Sequence, residues 1–180
     1  VVAAQDALDD AGLLDGRVDR TRIGVMLGAG TGDLVRNESY YFDMRRKGID
    51  HARPTWIHGH FSSTPVDVIA AYFGIEGVRS CLMAACSSST IAIGQAVDAI
   101  RRGRADAVLA GGTDALSRLT FAGFNALRLM DPQPCRPFDA GRQGMNIGEG
   151  AAILVLEDWH RARHRGAHVY AELAGYAFTC

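Results

Sequence analysis

The chain has 180 residues, 48% hydrophobic and 22% charged, with a formal net charge of −1. That apolar content excludes a disordered chain, and the balance of acids and bases excludes a nucleic-acid binder that works by bulk charge. No apolar run reaches the roughly eighteen residues a membrane-spanning helix requires.

Residues 1–14 carry an amphipathic pattern, with Val1, Ala4, Leu8 and Ala11 on one helical face. Nothing precedes Val1 to cap this helix, and residues 169–180 read as an extended segment leading onward. Both ends are therefore expected to be cut from a longer chain. The run Arg-Ile-Gly-Val-Met-Leu-Gly at 22–28 predicts a buried strand, followed by Gly28-Ala29-Gly30-Thr31-Gly32-Asp33 and a helix over 33–47. Residues 48–63 read as a loop around Pro54. Ser63 or Thr64 caps a helix with Pro65 in its first turn, which runs to Tyr72 or Phe73 and stops at Gly74.

A second strand is expected over 78–85 and a helix over 87–102, stopped by Gly103. Ile93, Val97 and Ile100 give that helix an apolar stripe, and Ala92, Ala96 and Ala99 beside it permit close approach. A third strand covers 105–110 and ends at Gly111-Gly112. Residues 113–150 are loop-rich, with one short helix around 121–129. A fourth strand (151–157), a helix (158–165) and a fifth strand (168–176) complete the order. Strands alternating with helices predict an α/β domain, and the uniformly apolar strands fit burial on both faces.

Three segments are candidates for chemistry. The turn Gly28–Asp33 follows a strand, but its glycines are spaced GxGxG where a dinucleotide fingerprint needs GxGxxG. Asp33 stands where the third glycine belongs and would repel a pyrophosphate, so a nucleotide binder is disfavoured. In Ala84-Ala85-Cys86-Ser87-Ser88-Ser89-Thr90 a buried strand runs into a cysteine and a helix starts directly after it. The positive end of the helix dipole there favours a thiolate. Ser87–Thr90 supply hydroxyls for the first turn, and the small Ala84 and Ala85 leave room around the sulfur. This is the strand–turn–helix logic of a nucleophile elbow. A buried, inert cysteine followed by a serine-rich cap accounts for the same residues equally well. The third segment, Arg136-Pro137-Phe138-Asp139 with Gly141, Gly144, Gly148, Glu149 and Gly150, suggests a constrained backbone path and no chemistry. Cys81, Cys86, Cys135 and Cys180 form no CxxC pair, and the six histidines join no acidic or cysteine cluster. No metal centre is expected.

Ala85-Cys86-Ser87-Ser88-Ser89 resembles the active-site segment of the β-ketoacyl synthases, the condensing enzymes of fatty-acid and polyketide synthesis. Further stretches match that family in order: Arg104-Ala105-Asp106 through Ala110-Gly111-Gly112, Arg136-Pro137-Phe138-Asp139, and Gly148-Glu149-Gly150-Ala151 through Leu154-Val155-Leu156-Glu157. Arg165-Gly166-Ala167 through Tyr170-Ala171-Glu172 completes the set. The resemblance covers essentially the whole chain and looks like the stand-alone elongating type.

The resemblance implies a thiolase-like fold, of which residues 1–180 would be the N-terminal half, with a five-stranded mixed sheet between helices. It implies that Cys86 is the nucleophile that takes an acyl group from acyl-carrier protein, with its backbone N–H in the oxyanion hole. Phe124 would line the acyl pocket and Arg128 would meet the carrier protein. No resident cofactor is implied, because phosphopantetheine arrives on the carrier protein. The strand near 78–82 would pair across a homodimer or a ketosynthase-like heterodimer in the cytoplasm, and no nucleic acid or membrane span is involved.

The sequence also departs from the family. Its two catalytic-histidine motifs are absent, so the C-terminal half of the same enzyme would have to supply them. Met145 stands where relatives carry an aromatic residue, and Gln143 where an aspartate is usual. The alternative within the family is a non-catalytic, chain-length-setting partner subunit. Such partners usually lack the nucleophile, whereas Cys86 is present.

Overall fold

The computed structural model describes residues 1–14, 18–30, 32 and 34–179. Asp33, expected near a helix start, and Cys180 lie outside the described residues. The strands are β1 Ile23–Gly28, β2 Arg79–Leu82, β3 Ala107–Asp114 and β4 Gly150–Glu157, and they form one sheet in the order β2-β1-β3-β4. β1 pairs in parallel with β2 and with β3, whereas β4 runs antiparallel to β3. The helices are α1 Val2–Ala11, α2 Leu34–Lys47, α3 Thr64–Phe73, α4 Ser88–Arg101, α5 Arg118–Ala126 and α6 Trp159–His164. The stretch read as loop at 48–63 is wound into 3₁₀ turns at Ile49–His51 and Pro54–His60.

Successive side chains of a strand point to opposite faces, and the two faces of β1 and β3 serve different helices. Ile23, Val25, Leu27, Ala107 and Leu109 form one core cluster with Ala4 and Leu8 of α1 and Val66, Ile69 and Phe73 of α3. Met26, Val108 and Ala110 face the other way and pack with Ala96 and Ala99 of α4. Burial on both faces is why these strands are uninterrupted apolar runs.

The expected fifth strand is not found: among the described residues the sheet has four strands, and residues 168–179 make no ladder. The segment is tied to a helix instead. The Tyr176 ring lies against α4 at Gly94, the Tyr176 hydroxyl donates to Asp98 Oδ2 at 2.7 Å, and Arg101 Nη2 donates to the Ala174 carbonyl at 3.2 Å. Of this segment's side chains Tyr176 packs on the helix, whereas Val169, Tyr170 and Phe178 are exposed.

The hydrogen bond to Asp98 raises the Tyr176 phenol above its ordinary value of 10.0. A raised folded-state value means that the phenol's contribution to stability is complete below pH about 10 and is lost as the pH rises through the folded-state value. Tyr176→Phe should therefore unfold at lower urea than the wild type at pH 8, and the gap should close as the pH passes 10. Urea midpoints measured across that range check it.

The arginine-rich stretch 161–165, which reads as a solvated helix end, is largely engaged. Arg161 Nη1 pairs with Asp106 Oδ2 at 2.8 Å. Arg165 grips Glu157, at the end of β4, through Nε and Nη2 at 2.7–3.0 Å, and its Nη1 donates to the Ala11 carbonyl at 2.6 Å. The two side chains are only 14% and 8% exposed. Removing one partner strands a nearly buried charge, so Arg165→Met should cost about 3 kcal/mol in urea unfolding. The double variant with Glu157→Leu should recover most of that loss.

Candidate active site

β2 leads into the turn that carries Cys86. Ala85 adopts φ 49°, a left-handed conformation in a residue with a Cβ, at a cost of about 1–2 kcal/mol. The serines of the motif hold this turn rather than capping the helix. Ser87 Oγ donates to the Ala84 carbonyl at 2.8 Å. Ser88 Oγ donates to the Ala85 carbonyl at 2.6 Å and accepts from the Ala84 N–H at 2.8 Å. Cys86 sits at the apex, exposed, immediately before Ser87 and the start of α4. Cys81 contrasts with it. That thiol is half-buried, donates to the Ser62 carbonyl at 2.8 Å, and is pushed up by burial. Cys135 is exposed, on the loop before β4.

Two glycines set how closely α4 approaches the sheet. Gly28, the last residue of β1, is the register partner of Gly112 in β3. A Cβ on Gly28 would overlap the Ser89 backbone nitrogen and the Ser88 carbonyl carbon. One on Gly112 would overlap Ser89 Oγ and stand 2.8 Å from the Gly28 carbonyl oxygen. The first turn of α4 thus rests directly on bare backbone, and the position of Cys86 follows from that contact. Asp114, at the end of β3, accepts the Gly30 N–H at 3.0 Å and joins the turn after β1 to the same rim. Gly28 stood out in the sequence only as part of a spacing that fails for nucleotides. Its partner across the fold was not legible, although paired glycines ending two strands hint at a close helix.

Phe124 and Arg128 lie apart from Cys86 along the chain, on the element that follows β3. Phe124 is half-buried on α5. Arg128 is exposed just beyond that helix at φ 57°, with its N–H donated to the Asn125 carbonyl at 2.9 Å. α5 begins at Arg118, earlier than the sequence suggests, because Ser117 caps it by accepting the Thr120 N–H at 3.1 Å. A cavity of about 750 Å³ separates α5 from α2. Val35, Glu38, Phe42, Phe121 and Asn125 line it, whereas Phe124 and Cys86 do not. Loop 129–146 closes the far side: Asn146 donates to the Asp131 carbonyl at 2.8 Å and accepts the Cys135 N–H at 2.6 Å. Asn146 has no signature in the sequence, because its partners come from the other limb of the loop. No helix among the described residues is long and apolar enough to cross a membrane.

What the geometry offers is one exposed thiol on a strained turn at a helix start, above a mixed sheet. Known proteins share this fold. Residues 1–162 match the family model described as Beta-ketoacyl synthase, N-terminal domain. The chain is 35% identical over 185 residues to 3-oxoacyl-[acyl-carrier-protein] synthase 2 of Staphylococcus aureus, covering 99% of this chain and 46% of that protein. It superposes on the ishigamide ketosynthase/chain length factor with a TM-score of 0.92 at 33% identity, covering 97% of this chain and 44% of that one. It also superposes, with a TM-score of 0.89 at 33% identity, on a type II polyketide ketosynthase solved in complex with its acyl-carrier protein, covering 97% and 46%. The α/β thiolase-like fold expected from the resemblance is the fold of these ketosynthases, with four strands among the described residues in place of the expected five. The chain spans about half the length of the curated relatives it matches. By its residues and by its fold, the chain belongs to the β-ketoacyl synthase family and carries that family's N-terminal domain.

Proposed function

We propose that this chain is the nucleophile-bearing part of a β-ketoacyl-[acyl-carrier-protein] synthase, an acyltransferase of fatty-acid or polyketide synthesis. The observation that carries the reading is the exposed Cys86 thiol between left-handed Ala85 and α4. The Cys86 thiolate attacks the thioester carbonyl of acyl-carrier protein. The new carbon–sulfur bond to Cys86 replaces the bond to the carrier's pantetheine sulfur, which leaves as a thiol once protonated. Malonyl-carrier protein then loses carbon dioxide by cleavage of its carboxylate–carbon bond. The electron pair left on that carbon attacks the acyl-Cys86 carbonyl and expels the Cys86 thiolate. The Cys86 backbone N–H supplies one donor to the oxyanion, where charge develops in both attacks. The groups that drive decarboxylation belong to the C-terminal half of the same enzyme, since neither histidine motif occurs here.

Phe124 lines the acyl pocket in this reading, and Arg128, exposed and cationic, meets the acidic carrier protein. The carrier brings its own phosphopantetheine, and the protein needs no resident cofactor. β2 is an edge strand of the sheet, which supports pairing with a second ketosynthase or a ketosynthase-like partner. A cytoplasmic site of action goes with this set of partners. The presence of Cys86 favours a catalytic subunit over a non-catalytic chain-length partner. The test uses the complete synthase with its partner, acyl-carrier protein and malonyl-carrier protein. Stoichiometric alkylation of Cys86 by iodoacetamide should stop β-ketoacyl product formation; undiminished product after complete alkylation overturns the reading.

A further inference from the structure

Helix α5 is placed by polar tethers more than by packing. None of its residues is buried, and Leu119, Phe121 and Leu127 are 52–68% exposed. Its start is held from two sides. Glu38, on α2, accepts the Leu119 N–H through Oε1 at 2.8 Å. Glu149, just before β4, accepts the Leu116 N–H through Oε2 at 3.3 Å. The first N–H groups of a helix have no partner within it, and carboxylates there also meet the positive end of its dipole. Glu38 does a second thing: it lines the cavity between α2 and α5, together with Val35, Phe42, Phe121 and Asn125. Glu38 therefore reaches across the gap, as does the Arg118 guanidinium, which lies 5.5 Å from the centre of the Phe42 ring, and the helix Glu38 holds carries Phe124.

We propose that Glu38 is a positioning residue that sets where α5 stands, and through it the acyl-chain preference of the synthase, with Glu149 as the second tether. This rests on the reading that Phe124 borders the acyl pocket. Glu38 touches no reacting atom. It acts by holding the wall of the pocket at a fixed distance from α2.

The test compares decanoyl- and butyryl-carrier protein as acyl donors to the complete synthase. Without the tether the start of α5 shifts, Phe124 shifts with it, and the two chain lengths are discriminated differently. Glu38→Ala should change the long-to-short ratio of kcat/KM by about tenfold, the scale of one lost hydrogen bond to a charged group. Glu38→Gln keeps an acceptor oxygen at the same reach and should stay near the wild-type ratio. The rate of Cys86 alkylation by iodoacetamide should be the same in all three proteins. An unchanged ratio in Glu38→Ala overturns the proposal. So does an equal loss with both donors, which marks a merely structural role, or a glutamine variant that behaves like alanine. Should Glu38→Ala fail to fold, Glu149→Ala is read the same way, and an unshifted ratio there overturns the proposal. Failure of the underlying catalytic reading shows separately, as a wild-type enzyme that never acylates at Cys86.

Discussion

Cys86→Ala should abolish acyl-enzyme formation in the complete synthase, lowering turnover at least about ten-thousand-fold. The size of the effect follows from what is removed. Acyl transfer through a covalent intermediate has no route without a nucleophile, and the remaining groups only bind and polarise the thioester. The fold should hardly notice. Cys86 is exposed, and substitutions at such positions usually shift stability by no more than about 0.5 kcal/mol. Urea midpoints of variant and wild type should therefore coincide while turnover collapses. Matched losses of stability and turnover would point to a structural cysteine instead.

Gly28→Ala should produce the next largest effect, without touching any reacting atom. The added methyl overlaps the Ser89 nitrogen and the Ser88 carbonyl carbon and stands 2.7 Å from Ser88 Cβ. Two of these three are backbone atoms, so no rotamer change relieves the overlap. The start of α4 must move off the sheet and take Cys86 with it. A displacement of about 1 Å at a reacting group costs about a hundredfold in rate, and overpacking of this kind costs about 1–3 kcal/mol in stability. Gly112→Ala should be milder, because its worst overlap is with the Ser89 hydroxyl, which can rotate away. Gly148→Ala is the control: nothing lies within 4 Å of a Cβ there, and both readings should be unchanged. The rate of acyl-enzyme formation and the urea midpoint, measured on the three variants together, order them.

The parts of this fold that were legible in the sequence are those decided locally. β1 and β4 are continuous apolar runs, and α4 has its serines before it and Gly103 after it, so each was placed within a few residues. Cys86 was legible as a strand-to-helix thiol because the strand, the small residues and the hydroxyls adjoin it in sequence. β3 runs on to Asp114, past the glycines that read as its end, because both its neighbours continue the ladder through Gly111 and Gly112. The segment 168–176 reads as a strand but makes no ladder, because its residues do not record what they meet; Tyr176 meets α4. Glu38 and Glu149 were not legible as tethers at all. Each acts on a backbone N–H far away in the chain, at a helix that buries none of its apolar residues.

Cys86 alone should receive the acyl group, and peptide mapping of the intact synthase reads that out cysteine by cysteine. The enzyme is incubated with acyl-carrier protein, quenched, digested, and its cysteine peptides weighed. The acyl mass should appear on the peptide that contains Cys86, with the Cys81 and Cys135 peptides unmodified. Acyl mass on Cys81 or Cys135 with Cys86 unmodified, or no acylated peptide under turnover conditions, would contradict it.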